Sequence, residues 1–264
     1  MKILYKIIHL FRKNLLDLLN YKFDIIIKIT IFFIITIFIY IFTYNKTKYL
    51  IIPINYFYFV LTGIISTTYF AGAVSLTNKE LEKMVKMGII DFIFATPTNP
   101  LVVVTSIFIF NFFYIFIIRL PIIIFTIFIL RIYLSFLEIT FLCIIFFISL
   151  GISFMISIII SGLVIILKNT DEIVSLIINS HRILSGVYIP INFLPLWMQK
   201  LSKVLPLTYT VRSMRALFLH NYSVYFILKD IFILTIFFLI FLFFGIWFWN
   251  FAIKRAKIKG DFYY

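Results

Sequence analysis

The chain has 264 residues, of which 64% are apolar, 20% aromatic and 13% charged, about half the charged share of a soluble domain. Its apolar runs, such as IIIKITIFFIITIFIYIF and FLCIIFFISLGISFMISIIISGLVIIL, reach or exceed the ~17–25 residues with which a helix crosses a bilayer. A water-soluble globule is excluded, and with only 8 Gly and 7 Pro so are collagen-like and disordered compositions. The net charge of +14 lies mostly in short segments between the apolar runs, where positive residues fix topology and meet anionic headgroups, so it points to membrane lipid and not to nucleic acid. Cys143 is the single cysteine, which leaves no disulfide within the chain and no cysteine-based metal site.

Residues 1–23 carry Leu4, Ile7, Ile8, Phe11, Leu15, Leu18 and Leu19 on one helical face and Lys2, Lys6, His9, Lys13, Asp17 and Asn20 on the other. That pattern predicts a helix lying in the membrane interface. Charged and apolar residues interleave, and no small-residue cleavage site follows, which argues against a signal peptide. Six spans are then expected at about 24–44, 54–76, 102–130, 136–167, 172–189 and 225–250, so the fold class is all-α and membrane-embedded. With both termini in the cytoplasm, Lys2, Lys6, Arg12, Lys13, Lys22, Lys79, Lys83, Lys86, Lys168, Lys254, Arg255, Lys257 and Lys259 fall inside, and Lys46, Lys48, Arg131, Lys200, Lys203, Arg212 and Arg215 outside. The excess of basic residues inside favours this orientation in a cytoplasmic (cell) membrane. Four of the outer ones crowd into 190–222, a segment too polar to span and too apolar for a free loop. Pro190, Pro195 and Pro206 divide it into amphipathic pieces, read as re-entrant or interfacial half-helices.

Several chemistries are missing. No phosphate-binding loop, paired-histidine zinc motif or glycine-flanked nucleophilic serine occurs, so no catalytic residue, metal or cofactor is assigned to this chain. Two other classes remain as alternatives: an ion- or proton-coupled carrier, which would need an unpaired acid at mid-depth, and a lipid-modifying membrane enzyme, which would need a catalytic constellation. Charged residues inside the apolar runs are costly and should face the bundle or water. Lys28 is near enough to a span end to snorkel. Arg119, two residues before Pro121, and Arg182 are candidates for lining a path. His181 and Arg182 are successive, so they cannot share one helix face. Glu138 is placed to neutralise Arg131 across a short hairpin, and Ser149, Gly151, Ser153, Ser157, Ser161 and Gly162 suit close helix packing.

The loop NKELEKMVKMGIIDFIFATPTNP is the most specific stretch. A charged run passes through Gly88 into a short helix, stopped by Pro97, whose Ile89, Ile90, Phe92, Ile93 and Phe94 need something to dock against. GIIDFIFATP resembles the Gly-Thr-Leu-Glu-x-Leu-Leu-x-Thr-Pro element of type-2 permeases of ATP-binding-cassette (ABC) exporters, with Gly88, Asp91, Thr96 and Pro97 matching and Ile89 and Asp91 standing where the family usually has Thr and Glu. The stretch LSGVYIPINFLPLWMQKLSKVLPLTYTVRSMRAL is similar to the same family's second signature through Ser185, Gly186, Pro190, Pro195, Trp197, Pro206, Thr208, Tyr209 and Arg215.

The resemblance covers essentially the whole chain. It implies a permease subunit that exports a drug, lipid-linked or polymeric compound. The 78–97 region would be the coupling helix seated in a cleft of a separate ATPase subunit, which holds the ATP and Mg, and 190–222 would cap the path. It also implies a pair of permeases, either a homodimer or a heterodimer of paralogues.

Overall fold

The computed structural model of the chain describes residues 56–95, 99–130, 133–220 and 222–259, together with separate helical positions between 23 and 38. Nearly all of the helix expected over 1–23, most of the span expected over 24–44, and Thr96, Pro97 and Arg131 lie outside the described residues. All regular elements among the described residues are helical: α1 (Tyr56–Lys86), α2 (Ile89–Ala95), α3 (Pro100–Leu130), α4 (Phe136–Leu167), α5 (Asp171–Leu184), a 3-10 turn (Ile191–Phe193), α6 (Leu196–Ser202), α7 (Pro206–Phe218) and α8 (Val224–Lys259).

Four stretches are long and apolar enough to cross a membrane, Tyr56–Lys86, Pro100–Pro121, Phe136–Leu167 and Val224–Ile258. Ile29–Phe38 is a shorter apolar helix. The span expected over 172–189 takes a different form. α5 has 14 residues, about 21 Å at 1.5 Å per residue, against a hydrocarbon core of ~30 Å. Its polar stripe and its stop at Ser185 account for the difference.

α1 is the central helix, packed by α3, α4, α5 and α7. Polar side chains survive in it because their hydroxyls turn back onto the helix. Thr62 donates to the Tyr58 carbonyl at 2.8 Å, Ser66 to Thr62 at 2.7 Å, Thr68 to Ile64 at 2.6 Å and Thr77 to Ala73 at 2.7 Å. A hydroxyl satisfied within its own helix needs no water. α8 lies at the periphery, its span only 11% buried, and packs chiefly on α4.

α4 begins at a complete capping box. Glu138 Oε2 accepts from the Ser135 backbone N–H at 2.7 Å, and Ser135 Oγ accepts from the Glu138 N–H, which satisfies orphan donors at both ends of the exchange. The helix ends at Lys168 in the left-handed region, φ 62°. The small residues of α4 are used within the subunit. A Cβ on Gly151 would stand 2.7 Å from the Phe238 ring of α8, and one on Gly162 would stand 3.1 Å from Phe248 and 3.2 Å from the Ala252 Cβ. Glycine there lets the aromatic rings of α8 lie on the α4 backbone, the close approach that drives helix association where water supplies no hydrophobic force.

The elements sort to two ends of the bundle. Leu81, Ile90, Val104, Val164, Trp249 and Ala256 pack together at one end, which therefore gathers α2, the start of α3 and the finish of α1, α4 and α8. The start of α1, the start of α8 and the whole 185–218 region gather at the other, through Val187, Leu207, Val211, Leu217 and Ile227.

Replacing Gly151 by Leu drives side-chain atoms into Phe238, an overpacking cost of about 1–3 kcal/mol. Thermal unfolding in detergent should show a lowered midpoint for Gly151→Leu and a smaller drop for Leu at Gly245, where the nearest atom to an added Cβ is 3.5 Å away. Equal midpoints for the two would contradict the packing described.

Candidate functional site

Three assemblies contain the residues singled out in the sequence. The first is the hairpin of α1 and α2. Gly88 adopts φ +69° between them, a left-handed conformation in which a side chain would be strained, and the Met87 and Gly88 N–H groups close the turn on Lys83 and Val85 at 3.0 Å each. α2 then leans on the bundle through Ile90, which is buried, and leaves Ile89 and Phe92 exposed, Phe92 at 76%. Of the apolar residues expected to meet a partner, Ile90 is thus committed to the fold. The side chains of Asp91 and Phe94 lie outside the described residues.

Sequence reasoning missed what holds this hairpin to α5. Glu82 is 2% exposed, and its Oε2 accepts from the Thr170 backbone N–H at 3.0 Å and from Thr170 Oγ1 at 3.3 Å. Its other oxygen meets Lys86 Nζ at 2.5 Å. Asn78 completes the knot, accepting from Thr170 Oγ1 at 3.1 Å and donating to Asp171 Oδ1 at 3.0 Å. Thr170 is the N-cap residue of α5 and makes no cap with its own side chain. Glu82 supplies the missing acceptor from α1, placing a carboxylate at the positive end of α5.

The second assembly is a cavity of about 620 Å³ between α1, α3 and α5. Arg119 of α3 and Arg182 of α5, 63 positions apart in the sequence, both line it. Thr67, Ser75 and Asn179 add polar groups, and Ile115 and Ile178 add apolar wall. Arg182 Nε is buried without a hydrogen-bond partner. His181 Nδ1 lies 3.1 Å from the Ile177 carbonyl of its own helix, so the two successive residues point to different surroundings. A second cavity of about 500 Å³ shares Ser75, Ser175 and Asn179 with the first and is bordered by Lys79, Asp171 and Glu172. The two form one polar stripe along the α1–α5 groove.

The third assembly is the 185–218 region, where most residues of the second signature close a turn or a contact. α5 stops in a Schellman motif: the Gly186 N–H donates to Ile183 and the Val187 N–H to Arg182, both at 3.3 Å, with Gly186 at φ +74° and Val187 fully buried. Ser185 Oγ is buried without a partner. Pro190 precedes the 3-10 turn, Pro195 precedes α6 and Pro206 is the first residue of α7, the helix position where a missing N–H costs nothing. Thr208 Oγ1 donates to the Ser202 carbonyl at 2.7 Å, and the Tyr209 hydroxyl donates to the Lys203 carbonyl at 2.8 Å. Trp197 and Leu196 on α6 are exposed, turned away from the fold.

Arg215 reaches from α7 across to α1. Its Nη2 donates to the carbonyls of Phe59 and Gly186 at 3.1 Å and of Val187 at 3.4 Å, Nε approaches Thr62 Oγ1 at 3.4 Å, and the guanidinium lies 3.5 Å from the centre of the Phe59 ring. Burial pushes this guanidinium down to about 10, so it stays charged at neutral pH. Gly63 makes room for it, since a Cβ there would come within 2.6 Å of the Val187 oxygen and 2.7 Å of Arg215 Nη2.

Arg212 pairs with Asp230, a fully buried acid that also accepts from Ser213 Oγ at 2.7 Å, and lies over the Tyr209 and Phe226 rings. Asp230 was overlooked in the sequence, although an acid two turns into an apolar span with arginines in the preceding half-helix is a readable signal. Glu138 meets His220 Nδ1 at 2.7 Å as well as Ser135, and the Arg131 expected as its partner lies outside the described residues.

If Glu82 acts as a helix cap and not merely as an ion pair, Glu82→Ala should cost about 1–3 kcal/mol through the unmet Thr170 donors. Lys86→Ala should cost under ~1 kcal/mol, because Lys86 is more than half exposed. Unfolding of the two variants in detergent measures both, and equal costs would refute capping. Scanned against protein-family models the chain matches none, and a search of the curated proteins finds no relative.

Proposed function

We propose that the chain is the membrane permease subunit of an ATP-driven exporter of the ABC type-2 kind. It would move a drug, lipid-linked or polymeric compound out across the cytoplasmic membrane, working as a homodimer or a heterodimer of paralogues with a separate ATPase subunit that binds ATP and Mg. On this reading the chain crosses six times, with both termini and 78–97 in the cytoplasm, the short α5 and its proline-broken continuation together forming the fifth crossing and its outer cap.

The observation that carries the reading is the arrangement of the two signature stretches. They stand at opposite ends of one bundle, α2 with its exposed Phe92 at one end and the Arg215-held cap at the other, and the cavity bearing Arg119 and Arg182 lies between. Charge supports the orientation. At the α2 end stand Lys79, Lys83, Lys86, Lys168, Lys254, Arg255 and Lys257. At the other end Arg212 and Arg215, two of the four basic residues of 190–222, are taken up by Asp230 and by carbonyls, so half of the outer cluster that counts against the positive-inside rule is structural. An ion-coupled carrier is less well supported, because the buried acids Glu82, Glu138 and Asp230 each contact a basic side chain.

Two measurements test the proposal. In a Cys143→Ser background, a cysteine at Lys200 should react with an impermeant thiol reagent on intact cells and one at Lys83 only after lysis. The reverse pattern would overturn the orientation. Phe92→Ser removes an exposed anchor whose burial against a partner is worth about 1.5–3 kcal/mol, and Asp91→Lys reverses charge beside it. Both should lose co-purifying ATPase and ATP-dependent export while the protein still inserts. Unchanged ATPase capture and export in both variants would remove α2 from the coupling role.

A further inference from the structure

We infer that the exposed face of α8, at the α2 end of the bundle, holds an anionic phospholipid, its head on Lys254 and Arg255 and an acyl chain along Phe244, Trp247 and Phe251. The inference needs only the membrane setting and stands apart from the permease reading.

The first ground is the register of the helix. At about 100° per residue, Phe244, Trp247, Phe251, Lys254 and Arg255 fall within about 100° of arc, and all five are exposed. Trp249, Ala252 and Ala256 on the other side are buried, and Trp249 and Ala256 pack with Leu81, Ile90 and Val164. The stripe therefore points away from the bundle. Trp247 sits between Phe244 and Phe251, with ring centres 5.6 and 6.0 Å away and the Phe251 ring within 11° of parallel. Linked rings form a stiff apolar ledge that an acyl chain can cover without ordering flexible side chains.

Depth is the second. Tyr225 and Trp247, both exposed, are separated by 22 residues of α8, about 33 Å of helix, close to the ~30 Å hydrocarbon core. Tyrosine and tryptophan collect at the two membrane interfaces, so Trp247 marks the edge of the hydrocarbon at the α2 end. Lys254 and Arg255 follow about 11 Å further along. Helix side chains lean toward the N-terminus, so both cations reach back toward Trp247 and into the layer of lipid phosphates.

Charge is the third. Both cations are exposed, and among the described residues neither forms an ion pair. α8 carries no Asp or Glu from Ile231 to Lys259, so the helix itself offers them no acid. Basic side chains at this level draw anionic lipid in preference to zwitterionic lipid. A soluble acidic protein could reach the cations but not the rings, which stand in the hydrocarbon. A phospholipid meets both.

The test uses the full chain with Trp197→Phe, which leaves Trp247 as the exposed indole, reconstituted in phosphatidylcholine with a small share of lipid brominated on its acyl chains, a contact quencher of indole. Brominated phosphatidylglycerol should quench at least about fivefold more effectively per lipid than brominated phosphatidylcholine, the size expected of one basic residue at a charged surface, and the preference should shrink as salt rises. Lys254→Gln with Arg255→Gln should bring it close to parity. Lys254→Arg with Arg255→Lys keeps both charges and should keep it. Lys200→Gln with Lys203→Gln removes the same charge from the other end and should leave it unchanged.

Equal quenching by the two lipids, a preference that survives the double Gln variant at 254 and 255, or one lost equally in the variant at 200 and 203 would overturn the site. Loss of ATPase capture in the variant at 254 and 255 with the lipid preference intact would overturn it too, assigning the cations to a protein partner. Selective quenching in a chain that captures no ATPase would leave the lipid site standing and sink the permease reading.

Discussion

A cation buried among carbonyl oxygens fixes the geometry on which the rest of the bundle depends. Arg215 carries its charge into a place with no carboxylate contact among the described residues and is held by the C=O groups of Phe59, Gly186 and Val187 and by the face of the Phe59 ring. Those carbonyls are available for specific reasons. The Gly186 and Val187 oxygens are freed because α5 ends there in a left-handed turn, and Phe59 O lies near the start of α1, where Gly63 one turn on leaves the approach open. One side chain thereby joins three elements remote in sequence, and the cost of desolvating it is offset only if all three are in place.

The other end of α1 repeats the logic with the opposite sign. Glu82 is an anion answered by the N-terminus of α5 and by Lys86. Between these two ends lies the groove with Arg119 and Arg182, so the elements forming the cavity are positioned by polar contacts above and below it. The apolar surface does the bulk of the packing, but leucine and isoleucine are interchangeable with lipid as neighbours. The polar contacts are what select one register of α5 against α1.

The long helices were legible because an apolar run of sufficient length in a bilayer has few alternatives, and the prolines of 190–206 marked their turns because each removes a donor at a predictable position. The helix starting at Ile89 was likewise legible from Gly88. α5 was read as longer than it is, since Ile177, Ile178, Ile183 and Val187 continue the apolar run. The Ser185–Gly186 pair that ends the helix stands inside that run and says nothing by hydropathy. The partners of Glu82 were invisible for a different reason. Thr170 lies 88 residues away, and no local pattern marks a residue whose role is to cap a helix other than its own. Arg119 and Arg182 could be singled out one by one through their cost in a membrane, but their sharing of a cavity follows from tertiary packing alone.

The two-ended attachment of α5 has a mechanical consequence. The helix is only 14 residues long; it is tied to α1 at its first turn through Thr170 and, just past its last, through the Gly186 carbonyl to Arg215 of α7, which also holds the Phe59 carbonyl of α1. A rod pinned at both tips resists swinging outward, which would break both anchors. Successive residues of a helix are about 100° apart, so with both ends held the side chains that face the groove, Arg182 among them, keep their places. A helix too short to cross the bilayer is thereby held in one rotational setting by its two ends and not by its length.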